Sequence, residues 1–294
     1  MKISIIGIGR LGGALAIALD EKDFDIETLV ARNIEKANEI AELLKHKPEI
    51  LSPNDFSKIT SDVILIAAQD SQIEAIADEL AEKMTHNPTV FHTSGSLSSE
   101  ILKRLKAAGC RTGSIHPLVS ISDWRLGAER FANAFFCVEG DAEAVEIAEQ
   151  IVETLGGKHF TIAAEYKTLY HASAVTASGH LVALLDAAIE MLTKCGLNKQ
   201  DAQTILLPLV KSTVENLENQ TTAAALTGTF ARADAGTLEK HLKTLRETVS
   251  PELLEIYLQL GLRSLHLAEA QGANKARLTE MRGQILLAKT NLKC

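Results

Sequence analysis

Hydrophobic and polar positions divide the chain into two regimes. From Lys2 to about Thr161, short β-branched runs alternate with segments whose apolar residues recur at helical spacing. The runs predict strands over 3–6, 26–30, 63–67, 89–92, 112–115, 135–138 and 159–162, with helices over 11–19, 34–44, 73–83, 99–107 and 142–155. Local punctuation agrees. Asn33 can cap the second helix, Ser71 with Glu74 makes a capping box, Asp141 precedes the helix from Ala142, and Gly156-Gly157 ends it. Such alternation predicts an α/β fold, a doubly wound and mostly parallel sheet.

The regime then changes. From Ala163 to Cys195 a single helical pattern runs with Gly179 as its only glycine. Its middle, 171–180, carries small residues on every side, which predicts a helix buried against another helix or a cofactor. Further helices are expected over 199–218, 237–245, 251–269 and 275–292, with Ser250-Pro251 a strong helix start. The expected organisation is a dinucleotide-binding α/β domain over 1–162 and an all-α domain over 163–294.

Composition narrows the classes. Hydrophobic residues make up 46% and charged residues 23%, as in a soluble globular protein. The net charge of −8 and the lack of a long basic run give nucleic-acid binding no support. Cys110, Cys137, Cys195 and Cys294 are scattered and match no metal-finger spacing, so they are expected to be reduced and structural, with no metal held. No leader pattern and no uninterrupted apolar run of roughly 18 residues is apparent, so a cytoplasmic protein off the membrane is expected. No P-loop, H-E-x-x-H or G-x-S-x-G motif occurs.

The candidate chemistry begins at Gly7-x-Gly9-x-x-Gly12, placed between the first strand and an alanine-rich helix. Gly7 permits the tight turn, Gly9 the approach of a pyrophosphate, and Gly12 close packing of helix on strand. The N–H groups of Arg10, Leu11 and their neighbours at the helix start would hold the phosphates. NAD-selective folds place an acid at the tip of the second strand; here Arg32 stands there and could pair with a 2′-phosphate, which favours NADP (NADPH) over NAD. Ala68 and Gln69 follow the strand over 63–67, at the cofactor edge. His92-Thr93-Ser94-Gly95 offers Ser94 to a substrate, or simply turns the chain. His116, at the next strand end, could bind substrate, transfer a proton, or be structural. Lys167 and His171 share a helix face, where Lys167 could donate a proton or merely be a solvated lysine. Arg232, Asp234 and His241 lie in a polar segment without an assigned role.

Taken in order, these motifs resemble the Rossmann-like NADP oxidoreductase proteins that carry a C-terminal helical domain of unknown function, within the 6-phosphogluconate dehydrogenase-like superfamily. Ser114-Ile115-His116-Pro117 is similar to the G-x-H-P segment of prephenate dehydrogenases, with serine in the glycine position. Lys167-x-x-x-His171 is similar to the K-x-x-x-N pair of β-hydroxyacid dehydrogenases, with histidine in place of the amide. The resemblance implies a hydride transfer between nicotinamide and a small, carboxylate-bearing carbonyl, imine or alcohol in an interdomain cleft. In it Lys167 would relay a proton while His116, Ser94 and His171 orient the substrate. It also implies a homodimer built through the helical domain. A non-catalytic NADP-binding sensor is the competing expectation, since a fold alone does not prove an activity.

Overall fold

The computed structural model describes residues 1–292 and divides into two compact units, Met1–Ser178 and the chain from Gly179 onward. Cys294 lies outside the described residues.

The first unit is built on one eight-stranded sheet. Its strands are β1 (Lys2–Ile6), β2 (Asp25–Val30), β3 (Glu49–Leu51), β4 (Val63–Ile66), β5 (Thr89–His92), β6 (Arg111–Pro117), β7 (Phe135–Gly140) and β8 (Lys158–Phe160). They lie in the order β3-β2-β1-β4-β5-β6-β7-β8. All pairings are parallel except β6 with β7. The helices α1 (Arg10–Glu21), α2 (Ile34–Ala41), α3 (Asp70–Lys83), α4 (Lys103–Ala107) and α5 (Ala142–Thr154) connect the strands. Central strands are apolar on both faces, as a sheet covered on both sides requires: Ile3 and Ile5 belong to one apolar cluster, Ile6, Ile64 and Ile66 to another. Between β1 and β4 the strand order reverses, which opens a crevice at their carboxyl ends.

α6 (Lys167–Ala177) belongs to this first unit, because Lys167 and Tyr170 are tied to the sheet. The division therefore falls between Ser178 and Gly179, later than the expected residue 162. The expected single helix over 163–195 is likewise two, α6 and α7 (Gly179–Lys194), with Ser178 as the C-cap of α6 at φ −116° and ψ −72°. The stretch 171–180 is also not buried. Each of its residues is exposed or half-exposed. By length and composition the residues Ala164–Lys194 do meet the requirement for a membrane span, with a mean hydropathy of 1.4 and 11% of the window buried. The expectation of no such run overlooked how few charges interrupt its small and apolar residues.

The second unit is helical: α7, α8 (Lys199–Asn219), the short α9 (Thr222–Ala225) and α10 (Gly228–Ala231), α11 (Ala235–Thr248), α12 (Pro251–Ala270) and α13 (Lys275–Leu292). Leu238, Leu258, Leu265, Met281 and Ile285 form its core. Ser250 caps α12 by accepting from the Leu253 N–H, with Pro251 in the first turn, as the sequence predicts. Asn33 caps α2 in the same way. The Ser71–Glu74 box does not form, because α3 already starts at Asp70 and makes Ser71 a helical residue. Asp141 stands at the N-cap of α5, but its carboxylate accepts from the Thr112 N–H and hydroxyl instead.

Candidate active site

β1 ends in a cleft of about 600 Å³ lined by Gly7, Gly9, Arg32, Lys36, Ala68 and Gln69, among others. Each glycine of the motif has a separate cause. Gly7 sits at φ +96°, and a Cβ there would lie 2.7 Å from the Ala67 carbonyl oxygen. At Gly12 a Cβ would collide with the Gly7 carbonyl. Gly9 differs: a Cβ would meet nothing within 4 Å, so no contact inside the protein demands glycine. What that position does have is open space above the backbone at the start of α1, where no side chain caps the helix. Arg10 and Leu11 contribute by position, as the first residues of α1, whose N–H groups lack intrahelical acceptors. An uncapped helix start under open space fits a pyrophosphate, so these residues suit a dinucleotide.

The cleft carries two cations. Arg32 reaches Gln72 Oε1 at 3.4 Å through one guanidinium nitrogen, and Lys36 lines the same wall one helical turn on. Reading the sequence missed Lys36, although its spacing of four from Arg32 was visible.

A second cluster lies at the carboxyl ends of β5 and β6. His92 is fully buried and fixes the loop after β5: its Nδ1 accepts from the Ser94 N–H at 3.2 Å, and its Nε2 donates to the Ser98 carbonyl at 3.1 Å. Burial lowers its pKa to about 4, so the ring is neutral at physiological pH. The Ser94 hydroxyl accepts from the N–H groups of Ser96 and Leu97. Its first role is thus to shape the loop, and Ser94 is only 5% exposed.

Lys167 opens α6 and is 1% exposed. Its Nζ donates to Ser114 Oγ at 2.8 Å and to the Ser94 carbonyl at 3.4 Å, joining the ends of two neighbouring strands. Among the described residues no carboxylate pairs with it, and burial lowers its pKa. One of the two expectations for this residue therefore changes. It is not a solvated lysine: its ammonium is buried between the ends of β5 and β6.

His116 and His171 are half-buried and stand edge to face, with ring centroids 5.8 Å apart. Both close on Gly95. A Cβ at that position would lie 2.6 Å from His171 Cδ2 and 2.7 Å from His116 Nε2, so this loop needs glycine for the rings to approach its backbone. His116 Nδ1 is 2.6 Å from the Tyr170 hydroxyl, a partner that the sequence reading did not include. Its signal was available, since Tyr170 follows Lys167 by three on the same helix face. Burial first, then the nearby Lys167 charge, lowers the pKa of His116 to about 4.

Arg232, Asp234 and His241 belong to the second unit. Asp234 caps α11 through the Thr237 N–H and hydroxyl, and His241 hydrogen-bonds Tyr257 at 2.8 Å. Arg232 follows α10 as its C-cap residue. Among the described residues no group of His, Cys, Asp and Glu is arranged to hold a metal.

Comparison with known proteins accords with this arrangement. Residues 1–117 match the Rossmann-like domain, and residues 134–264 match a domain of unknown function, DUF2520. The chain joins a Rossmann-like domain to a DUF2520 domain. The DUF2520 match begins before β7, so it includes Lys167, Tyr170 and His171 together with the first helices of the second unit. Among solved structures, a Bacteroides fragilis protein described as a candidate NADP oxidoreductase aligns at 22% identity and TM-score 0.72, over 90% of this chain and 97% of its own. A Thermotoga maritima protein aligns at 25% identity and TM-score 0.71, over 92% and 99%. The Plasmodium falciparum pyrroline carboxylate reductase, solved with NADP bound, aligns at 11% identity and TM-score 0.60, over 96% and 98%. These likenesses establish the fold. No curated protein matches the chain by sequence.

Proposed function

We propose that this Rossmann–DUF2520 chain is an NADP-dependent oxidoreductase acting on a small, anionic carbonyl, imine or alcohol. One observation carries the reading: a cluster of buried and half-buried polar groups stands at the carboxyl ends of β5 and β6, in the same sheet whose β1–β4 edge forms the glycine-lined cleft. Open α/β sheets bind ligands at that edge. The two structural neighbours described as an NADP oxidoreductase and an NADP-bound reductase are consistent with it.

Gly7, Gly9, Gly12 and the start of α1 would hold the pyrophosphate, with Ala68 and Gln69 along the cleft and Arg32 and Lys36 facing a 2′-phosphate. NADP, when bound, supplies or accepts the hydride. His116 orients the substrate by hydrogen bonding, with His171 beside it, and Ser94 sets the loop over which the substrate lies. Lys167 holds the Ser94 and Ser114 ends together and adds positive potential for an anionic substrate. The chain would act as a homodimer. In support, α7 and α8 leave Leu181, Val182, Leu184, Ile205, Leu209 and Val214 exposed, an apolar patch of the kind that marks an interface.

Fluorescence titration with NADPH and NADH tests the cofactor assignment. Wild type should bind NADPH at least about tenfold tighter, and Arg32→Glu should abolish the difference. Equal affinity of wild type for both cofactors would overturn the NADP assignment. Bound NADPH that no 2-keto acid or imine can oxidise would instead favour a sensor without turnover.

A further inference from the structure

The loop over 93–97, which carries Gly95, is fastened by three different elements. From β5, His92 Nδ1 accepts from the Ser94 N–H at 3.2 Å. From α6, Lys167 Nζ donates to the Ser94 carbonyl at 3.4 Å. The third fastening comes from α3: the Ser96 hydroxyl donates to Asp70 Oδ2 at 2.6 Å. It is the shortest of the three and the only one to a carboxylate, and a charge-assisted bond of this length is roughly twice as strong as a neutral one.

The hydroxyl protons of the loop are committed by that bond. Ser96 has one proton, and Asp70 takes it. Ser94 Oγ accepts from the N–H groups of Ser96 and Leu97, which fills both of its acceptor positions. Ser96 Oγ, 3.4 Å away, is the acceptor left for its own proton. Both serines thus shape the loop, and their chain of bonds ends on Asp70.

Asp70 stands where two surfaces meet. It is exposed and opens α3; its chain neighbours Gln69, Ser71 and Gln72 line the glycine cleft, whereas its own carboxylate turns to Ser96. Next to Ser96 is Gly95, on whose backbone His116 and His171 close. We infer that Asp70 is a positioning residue: through Ser96 it anchors the Gly95 loop to the wall of the cleft, and so sets the spacing between the cleft and the His116–His171 pair. That this spacing separates cofactor from substrate rests on the proposed function, whereas the anchor is a property of the chain alone.

Asp70 acts on His116 both as an anchor and as a charge, and the two have opposite signs. Burial is the first cause of the lowered His116 pKa, so a loosened loop lets the ring take up a proton at higher pH. The Asp70 charge favours the protonated ring, so its loss works the other way. Lys167, His171, His92 and Tyr170, the other titratable groups that face the ring, stay the same in every variant below. Ser96→Ala removes the anchor and keeps the charge, Asp70→Asn removes the charge and keeps an acceptor, and Asp70→Ala removes both.

Nitrogen NMR of the full chain labelled with ¹⁵N-histidine, recorded at pH 5.5, separates these cases, with His116→Gln identifying the His116 signals among the nine histidines. With a pKa of about 4, the wild-type ring should be only about 3% protonated there. Ser96→Ala should raise that fraction roughly tenfold, Asp70→Ala by less because the lost charge opposes it, and Asp70→Asn not at all. Fluorescence of the buried Trp124 checks that each variant is folded at that pH. An unchanged fraction in either alanine variant, or a rise in Asp70→Asn as large as in Asp70→Ala, overturns the inference. Failure of wild type to bind NADPH would count against the proposed function and leave the anchor result standing.

Discussion

Two histidines make the first unit sensitive to mild acid, and the size of the effect follows from their burial. His92 and His116 both have pKa values lowered from 6.5 to about 4, chiefly by burial. A lowered histidine pKa means that the unfolded chain binds more protons than the fold between those limits. Stability therefore rises with pH from about 4 to 6.5 and falls as acid is added. At pH 5 such a histidine disfavours the fold by about 2 kcal/mol relative to pH 7, so the pair removes at most about 4 kcal/mol from a total of roughly 5–15 kcal/mol. Carboxylates add little in that range, since their ordinary values lie near 4. Trp124 gives a clean reporter: it is the only tryptophan, it is 5% exposed, and it lies in the unit that holds both histidines. Urea unfolding followed by its fluorescence should shift to lower midpoint by roughly 2 M between pH 7 and pH 5, for a slope of about 2 kcal/mol per M. His92→Gln and His116→Gln should each remove about half of that pH dependence, whatever they do to stability at pH 7. Variants with the same pH dependence as wild type would refute the assignment of buried, neutral rings.

The glycine motif gives a contrast between fold and ligand. Gly9→Ala should leave thermal stability within about 0.5 kcal/mol, since its Cβ enters open space, yet weaken NADPH binding by about tenfold or more in a fluorescence titration. Gly7→Ala should instead cost at least about 2 kcal/mol in urea unfolding, because φ +96° and the Ala67 carbonyl both oppose a side chain. For the assembly, light scattering coupled to gel filtration should give twice the 31.7 kDa chain mass for wild type and a monomer for Leu209→Glu, whose side chain is 63% exposed in the single chain. A monomeric wild type, or one that floats with lipid vesicles, would overturn the homodimer.

The alternation of strands and helices, the glycine turn and the helical second half were legible because each rests on local signals: β-branched runs, capping residues and glycine at a turn. What escaped needed information from elsewhere in the chain. β3 is three residues long, too short for any period to show, and it forms only because β2 offers an edge. The reversal of β7 places Cys137 opposite His116, and no residue near Cys137 announces that direction. The small residues over 171–180 suggested burial, because a helix without a polar face usually has neighbours. They are instead exposed or half-exposed, apart from the contact of His171 with His116 and the Gly95 loop. Arg32, Ser94, His116, Lys167 and His171 were all visible as candidates, but spacing could not tell a group that faces the ligand from one that holds the loop behind it.

Lys167 shows why that distinction matters chemically. A carboxylate in its place would also tie Ser94 to Ser114 if protonated, but ionised it would raise the pKa of His116 and favour an imidazolium. The lysine charge does the reverse: after burial, it is the largest cause of the lowered His116 value. Glu139, one of the acids that act on the Lys167 charge, is itself held by the Ser99 N–H at 2.7 Å and hydroxyl at 2.9 Å. The cost of burying an unpaired ammonium is thus coupled to a gain at the half-exposed rings above it. His116 stays neutral across physiological pH, and under the proposed function the positive potential for an anionic substrate would come from a buried charge behind it.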